Sequence, residues 1–168
     1  MLVRVFALIC FVFVVAILSA PAPQGPTGLD RRDSNWIDYM TCLVNKQRAT
    51  QGLQPLAVDT TLSSIAQAHA QYMQTANSMT HDDPNGSLGA RLSRSSISWT
   101  GCSENIAAGF DNVNAVFNAW LGSPGHYANI MGASSNIFGA GYDKKYFVND
   151  FAVVSDPSAI GAYIPSCD

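Results

Sequence analysis

The stretch IFGAGYDKKYFVNDFAVV, residues 137–154, decides how this chain is read. Residues 137–142 and 146–154 are rich in apolar and aromatic side chains, and Asp143, Lys144 and Lys145 separate them, which predicts two strands joined as a hairpin. Upstream the period changes. Leu62, Ile65, Ala66, His69, Tyr72, Met73 and Ala76 fall on one stripe of a helix, with Asp59 as its N-cap and Asn77 and Ser78 as its end. Trp36, Ile37, Met40, Leu43 and Val44 mark an earlier helix, capped by Ser34 or Asn35 and closed by Gly52. Val113, Val116, Phe117, Trp120 and Leu121 mark a later one, and Ser123-Pro124 opens the short helix SPGHYANIM. Residues 79–101, rich in Gly, Ser and Pro, read as a long surface loop with one short helix at 88–94, and ENIAAGF (104–110) reads as a short strand. There are no internal repeats. Helices in front and antiparallel strands behind give an α+β fold in which helices pack on a sheet.

The first residues have a different character. Arg4 precedes an uncharged apolar run from Val5 to Leu18, followed by small residues, which is the order of a secretory signal peptide over residues 1–20. The run is short for a membrane span, which needs about 20 residues. Residues 21–32 are Pro/Gly-rich and end in Arg31-Arg32, the pattern of a propeptide or a linker. The remaining segment, 33–168, suffices for one domain with one core. The mature protein is therefore expected to be secreted, extracellular, not membrane-spanning and monomeric.

From Asp33 onward six Lys/Arg face eleven acids. Phosphate recognition needs clustered cations, so nucleic acid is not an expected partner. Three cysteines remain once Cys10 leaves with the signal peptide. An oxidising route favours one disulfide and one odd thiol. Three pairings are open, and the expectation is Cys42–Cys102 with Cys167 left near the C-terminus. Asn85-Gly86-Ser87 is the chain's one Asn-x-Ser/Thr sequon, which makes Asn85 the expected glycosylation site.

Glu104 is the single glutamate of the 168 residues. It shares turn-like surroundings with two of the three histidines, His81 and His126, whereas His69 sits on a helical apolar stripe and reads as a packed core residue. Two imidazoles and a carboxylate form a common zinc set and a common acid/base set. The spacings are long, so sequence alone does not bring the trio together.

Four motifs in order do. VNKQR, SENIAAG, AVFNAW and SPGHYANIM together resemble the CAP superfamily, the cysteine-rich secretory protein, antigen 5 and pathogenesis-related 1 domain, in the form of its short microbial or fungal members. The similarity covers residues 36 to about 152. Asn45 and Arg48 match the first-helix signature, with Val44 where that signature has histidine. Ser103-Glu104-Asn105-Ile106 resembles the Gly-Glu-Asn motif, and Gly125-His126-Tyr127 resembles the Gly-His-aromatic motif. The resemblance implies a three-layer αβα sandwich with a central twisted antiparallel sheet. It also implies a cleft of two histidines and two acids, here His81, Glu104, His126 and, at the position read as the second acid, Asn118. An asparagine there removes one charge, so Zn²⁺ or another divalent cation is expected to bind weakly through His81, His126 and Glu104.

The function that resemblance implies is a secreted binding module for a small apolar ligand, a sterol or another small lipid. The alternative is an extracellular host- or protein-interacting factor without a ligand, and a metal-dependent or Ser-His hydrolase is the third. No Gly-x-Ser-x-Gly elbow and no His-Glu-x-x-His helix is present, which argues against catalysis.

Overall fold

The computed structural model describes residues 36–167. The signal peptide, the propeptide or linker, the mature start near Asp33 and the Ser34/Asn35 cap lie outside them. The order is α1 (Trp36–Ala49), β1 (Ala57–Val58), α2 (Thr60–Ala76), α3 (Leu88–Leu92), β2 (Trp99–Ala108), α4 (Val113–Leu121), α5 (Pro124–Ile130), β3 (Ile137–Asp143) and β4 (Tyr146–Val154), then a 3₁₀ turn at Ser158–Ile160. No helix among the described residues is long and apolar enough to cross a membrane.

The hairpin predicted from residues 137–154 forms as β3 and β4, paired antiparallel from Ile137↔Ala152 to Asp143↔Tyr146. Side chains alternate across a strand, and the alternation sorts this one cleanly. Phe138, Ala140, Phe147 and Phe151 enter a core with Met40, Val44, Val116, Phe117, Trp120 and Ile130 from α1, α4 and α5. On the other face, Ile137, Ala152 and Val154 pack with Leu62, Leu88 and Leu92, and Tyr146 and Val148 with Ala66, Ala70 and Met73. The result is the expected three-layer αβα arrangement.

The sheet departs from expectation in one respect. Its order is β1-β3-β4-β2, and β1 pairs parallel to β3, so the sheet is mixed rather than wholly antiparallel. β1 is a two-residue strand ending just before the Asp59 cap, whose side chain accepts from Leu62 N at 2.6 Å. Its direction is set by the chain having to enter α2 at that point. β2 is also longer than its sequence suggests, because residues 99–103 extend the ladder with β4.

The two motif residues of α1 are structural. Asn45 exchanges hydrogen bonds with both backbone groups of Leu56, at 3.0 and 2.8 Å. Arg48, fully buried, donates to the carbonyls of Gln54, Ile130, Gly132 and Ser135. A buried guanidinium is tolerable when its donors are satisfied, and here it ties α1 to the end of α5 and the turn before β3.

The expected Cys42–Cys102 disulfide is corrected. Cys42 bonds Cys167, and Cys102 is free. Cys42 lies on α1, on one side of the sheet, whereas Cys102 packs with Trp99 and the α2-facing cluster on the other. The C-terminal segment instead returns along β1, where Val58 and Tyr163 exchange backbone hydrogen bonds, and this delivers Cys167 to α1.

Candidate functional site

Glu104 stands at the sixth position of β2, where the strand becomes buried. Its backbone carbonyl accepts from Asn129 Nδ2 at 3.1 Å, and the Ile106 carbonyl from Trp120 Nε1 at 3.4 Å. Side chains from α4 and α5 thus occupy carbonyls of an edge strand that would otherwise invite strand addition. Asn105, on the opposite face, donates to the His126 carbonyl at 3.1 Å and accepts from Asn129 at 2.8 Å. Those bonds fix the helix that carries His126.

On the α2 face both carboxylate oxygens of Glu104 are engaged. Oε1 accepts from His81 Nδ1 at 2.8 Å, and Oε2 from Arg91 Nη2 at 2.6 Å. Arg91 Nη1 also approaches Asp83 Oδ2 at 3.4 Å. His69 lies beneath, with Nε2 at 2.8 Å from the Thr80 carbonyl and Nδ1 at 3.2 Å from Asp83. The core position read for His69 is correct, and the ring also anchors the loop that presents His81. The His81 side chain is 60% exposed while that of Glu104 is 4% exposed. Glu104 therefore orients the ring, and in the neutral tautomer whose Nδ1 donates, Nε2 is left as an acceptor at the surface.

His126 lies on α5, its ring 6.4 Å from that of Trp120. Burial, and secondarily the charge of His81, push its imidazole below the usual histidine range. The structure thus brings His81, Glu104 and His126 to one region, but it does not place Asn118 there. Asn118 is exposed on α4. Two residues along a helix is a rotation of about 200°, so Asn118 points away from the side that Trp120 shares with His126. Ser123, three residues beyond Trp120, lies on that side. It lines a groove of about 260 Å³ with His126, Trp120, Ala119, Phe110, Met79 and residues 106–108.

A divalent ion held by His81, His126 and Glu104 does not fit this geometry. The carboxylate is already bound on both oxygens, and among the described residues no three His, Cys, Asp or Glu groups are placed to hold a metal ion. Asn85 is exposed in the turn before α3, beside a second cavity of about 240 Å³ lined by Ile65, Ala68, Asp83, Arg91 and Arg94.

Sequence reasoning missed Arg91, Asp83 and Asp150. Asp150 is Glu104's direct partner across the β2–β4 ladder. It is fully buried, no N–H donor reaches its carboxyl oxygens, and the group it faces is the Glu104 carboxylate. Burial first and the Glu104 charge second push its carboxyl well above the ordinary range, with Arg91 opposing. A signal did exist. An acid in an otherwise apolar strand, at a position whose neighbours two away are core residues, is rarely solvated.

The sign of the pH effect follows. Folded Asp150 holds its proton to higher pH than the unfolded chain does. Its contribution to stability is complete below the unfolded value near about 3.9 and is lost as pH rises through the raised folded value. Asp150→Asn mimics the protonated group, so thermal melts should show the variant gaining on wild type as pH goes from about 4 to 8, with roughly 2–4 °C for each kcal/mol. An equal difference at both pH values would mean that Asp150 is ionised in the folded protein throughout.

The comparisons with known proteins agree with this architecture. A family model described as the cysteine-rich secretory protein family, CAP, matches residues 42–155. The protein YkwD of Bacillus subtilis (strain 168) is 39% identical over 101 residues, covering 60% of this chain and 39% of that protein. This chain therefore spans well under half of YkwD. An extracellular protein containing an SCP domain from Bacillus anthracis str. Ames superposes with a TM-score of 0.70 at 29% identity, over 77% of this chain and 45% of that one. An outer surface protein of Borrelia burgdorferi shares the fold with a TM-score of 0.64 at 24% identity, over 70% of this chain and 93% of that one.

Proposed function

This chain belongs to the CAP, or cysteine-rich secretory protein, family, and from that premise we propose that it is an extracellular binding module whose groove takes the apolar end of a small lipid. The groove beside His126 carries the reading. Its walls are Met79, Ile106, Phe110, Ala119 and Trp120, and Ser123 and His126 supply polar atoms at its rim. An apolar trough with a few convergent polar groups is the usual form of a small-ligand site. Its volume, about 260 Å³, falls below the roughly 300–1,000 Å³ of sites that enclose a drug-sized molecule. The groove therefore seats a chain end and leaves the rest of the ligand on the surface, which favours an acyl chain over a rigid sterol.

Trp120 reports on occupancy, because its indole is buried at the groove. A dibrominated fatty acid should quench tryptophan emission, bromine being an effective quencher in contact. Ala119→Arg, an exposed position on the groove wall, should weaken that binding at least tenfold while leaving the fold intact. A brominated sterol should quench less. Quenching that is equally strong in Ala119→Arg would remove the groove from consideration.

The protein-contacting alternative rests on other residues. Ile160, Tyr163 and Ile164 are exposed on the C-terminal segment, and exposed apolar clusters mark contact surfaces. That reading expects no quenching by any brominated lipid. Catalysis has less support: among the described residues neither Ser103 nor Ser123 hydrogen-bonds to a histidine, so no activated nucleophile is assembled.

A further inference from the structure

We infer that Arg91 is the resident cation of this site and occupies, at Glu104, the place a divalent metal would take. The inference does not depend on what the groove holds.

Several observations converge on it. The Arg91–Glu104 pair is close, at 2.6 Å, with the two side chains 5% and 4% exposed. A charge-assisted bond of that length, withdrawn from water, is among the stronger polar contacts a protein makes. Arg91 also reaches Asp83, so one guanidinium spans two buried carboxylates. Its direction is imposed by α3. Leu88 and Leu92 are buried in the cluster under α2, and Arg91, next to Leu92 and three residues from Leu88, is turned inward with them. The third acid, Asp150, faces Glu104 from β4. Asp83 and Glu104 share the guanidinium, which stands where a cation between two carboxylates would otherwise be.

The consequence is exclusion. A metal that approached Glu104 would meet the guanidinium charge and would have to displace a buried ion pair. A metal at the imidazoles of His81 and His126 would have to bind without Glu104. Arg91 is thus the residue that decides whether the only glutamate of the chain acts as an external ligand or as an internal support for His81.

Mn²⁺ tests this, because it prefers carboxylate oxygen and binds isolated imidazoles weakly. Binding would be followed by the loss of the free-ion electron paramagnetic resonance signal, with near-ultraviolet circular dichroism as the check on folding. Wild type should show no Mn²⁺ binding that Glu104→Gln removes. Arg91→Gln should bind Mn²⁺ at least tenfold more tightly than wild type, and the gain should vanish in the Arg91→Gln/Glu104→Gln double variant. Arg91→Lys, which keeps a cation, should show no gain. A folded Arg91→Gln protein without the gain overturns the proposal, as does a gain that survives loss of Glu104. Should Arg91→Gln fold only when Mn²⁺ is added, the substitution of one cation for another is shown directly. Should it not fold at all, wild type decides: Mn²⁺ bound there and lost in Glu104→Gln overturns the proposal, and its absence supports it.

Discussion

Gly141→Ala should cost the protein a large part of its stability, although it adds a single methyl group. Gly139 and Gly141 are on the face of β3 that meets α2, and the helix lies directly on them. A Cβ on Gly139 would come within 2.5 Å of the Leu62 carbonyl carbon and the Ser63 nitrogen, and one on Gly141 closer still to the Ala66 carbonyl. These are backbone atoms, so no side chain can rotate aside. The helix cannot slide either, since Gln67 hydrogen-bonds both backbone groups of Tyr142, at 3.0 and 3.1 Å, and Asp59 pins its first turn. Overpacking usually costs about 1–3 kcal/mol and occasionally more. With a whole helix displaced, the upper end or beyond is expected, a large part of a total near 5–15 kcal/mol. Urea or thermal melts should show a loss of roughly 10 °C or more. Gly125→Ala is the control, because nothing lies within 4 Å of its added Cβ, and it should stay close to wild type. A Gly141→Ala protein that melts with wild type would show that α2 has room to move.

The same pair of glycines shows what the sequence makes visible. The alternation in IFGAGY marks a strand, and the stripe of α2 with its Asp59 cap marks a helix, because both are local periodicities of single elements. β1 is invisible locally. Two residues become a strand solely by lying against Ile137 and Phe138, some eighty positions away. The first half of β2 is hidden for a related reason: WTGCS has loop composition, and its pairing with Val153, Ala152 and Phe151 holds it extended. The site divides in the same way. His81 and Glu104, 23 residues apart, are legible as partners through the order of the motifs and not through their spacing. Counting along a motif selects Asn118, whereas helical rotation turns it away and Ser123 lines the groove. Arg91 carries no local mark at all, since an arginine in LGARL reads as the solvated side of a short helix. Its burial follows from Leu88 and Leu92 facing the core, a tertiary fact.

Removing the Cys42–Cys167 bond should cost nearly as much as the glycine substitution, through a different term. The bond spans 125 residues, almost all of the described chain, and its main effect is on the unfolded ensemble. The chain-entropy relation gives about 4.7 kcal/mol for a loop of 100 residues, and measured values centre on about 2–4 kcal/mol. The native contacts of the tail do little to replace it. Among the described residues after Val154, Pro165 alone is buried, Ala162 packs partly buried against the α2-facing cluster, and the attachments include the Val58–Tyr163 backbone pair and the Tyr163–Asp38 hydrogen bond at 2.8 Å. Cys42→Ser/Cys167→Ser should therefore melt roughly 10 °C lower, and limited proteolysis should cut first within residues 155–167, where few contacts hold the chain. Cys102→Ser should leave the melt almost unchanged, because that thiol is free and partly exposed. The two variants decide the pairing between them. If Cys102→Ser were the destabilising one, and non-reducing peptide maps joined the peptides of Cys42 and Cys102, the tail would have no covalent hold on α1 and its pairing with β1 would rest on hydrogen bonds alone.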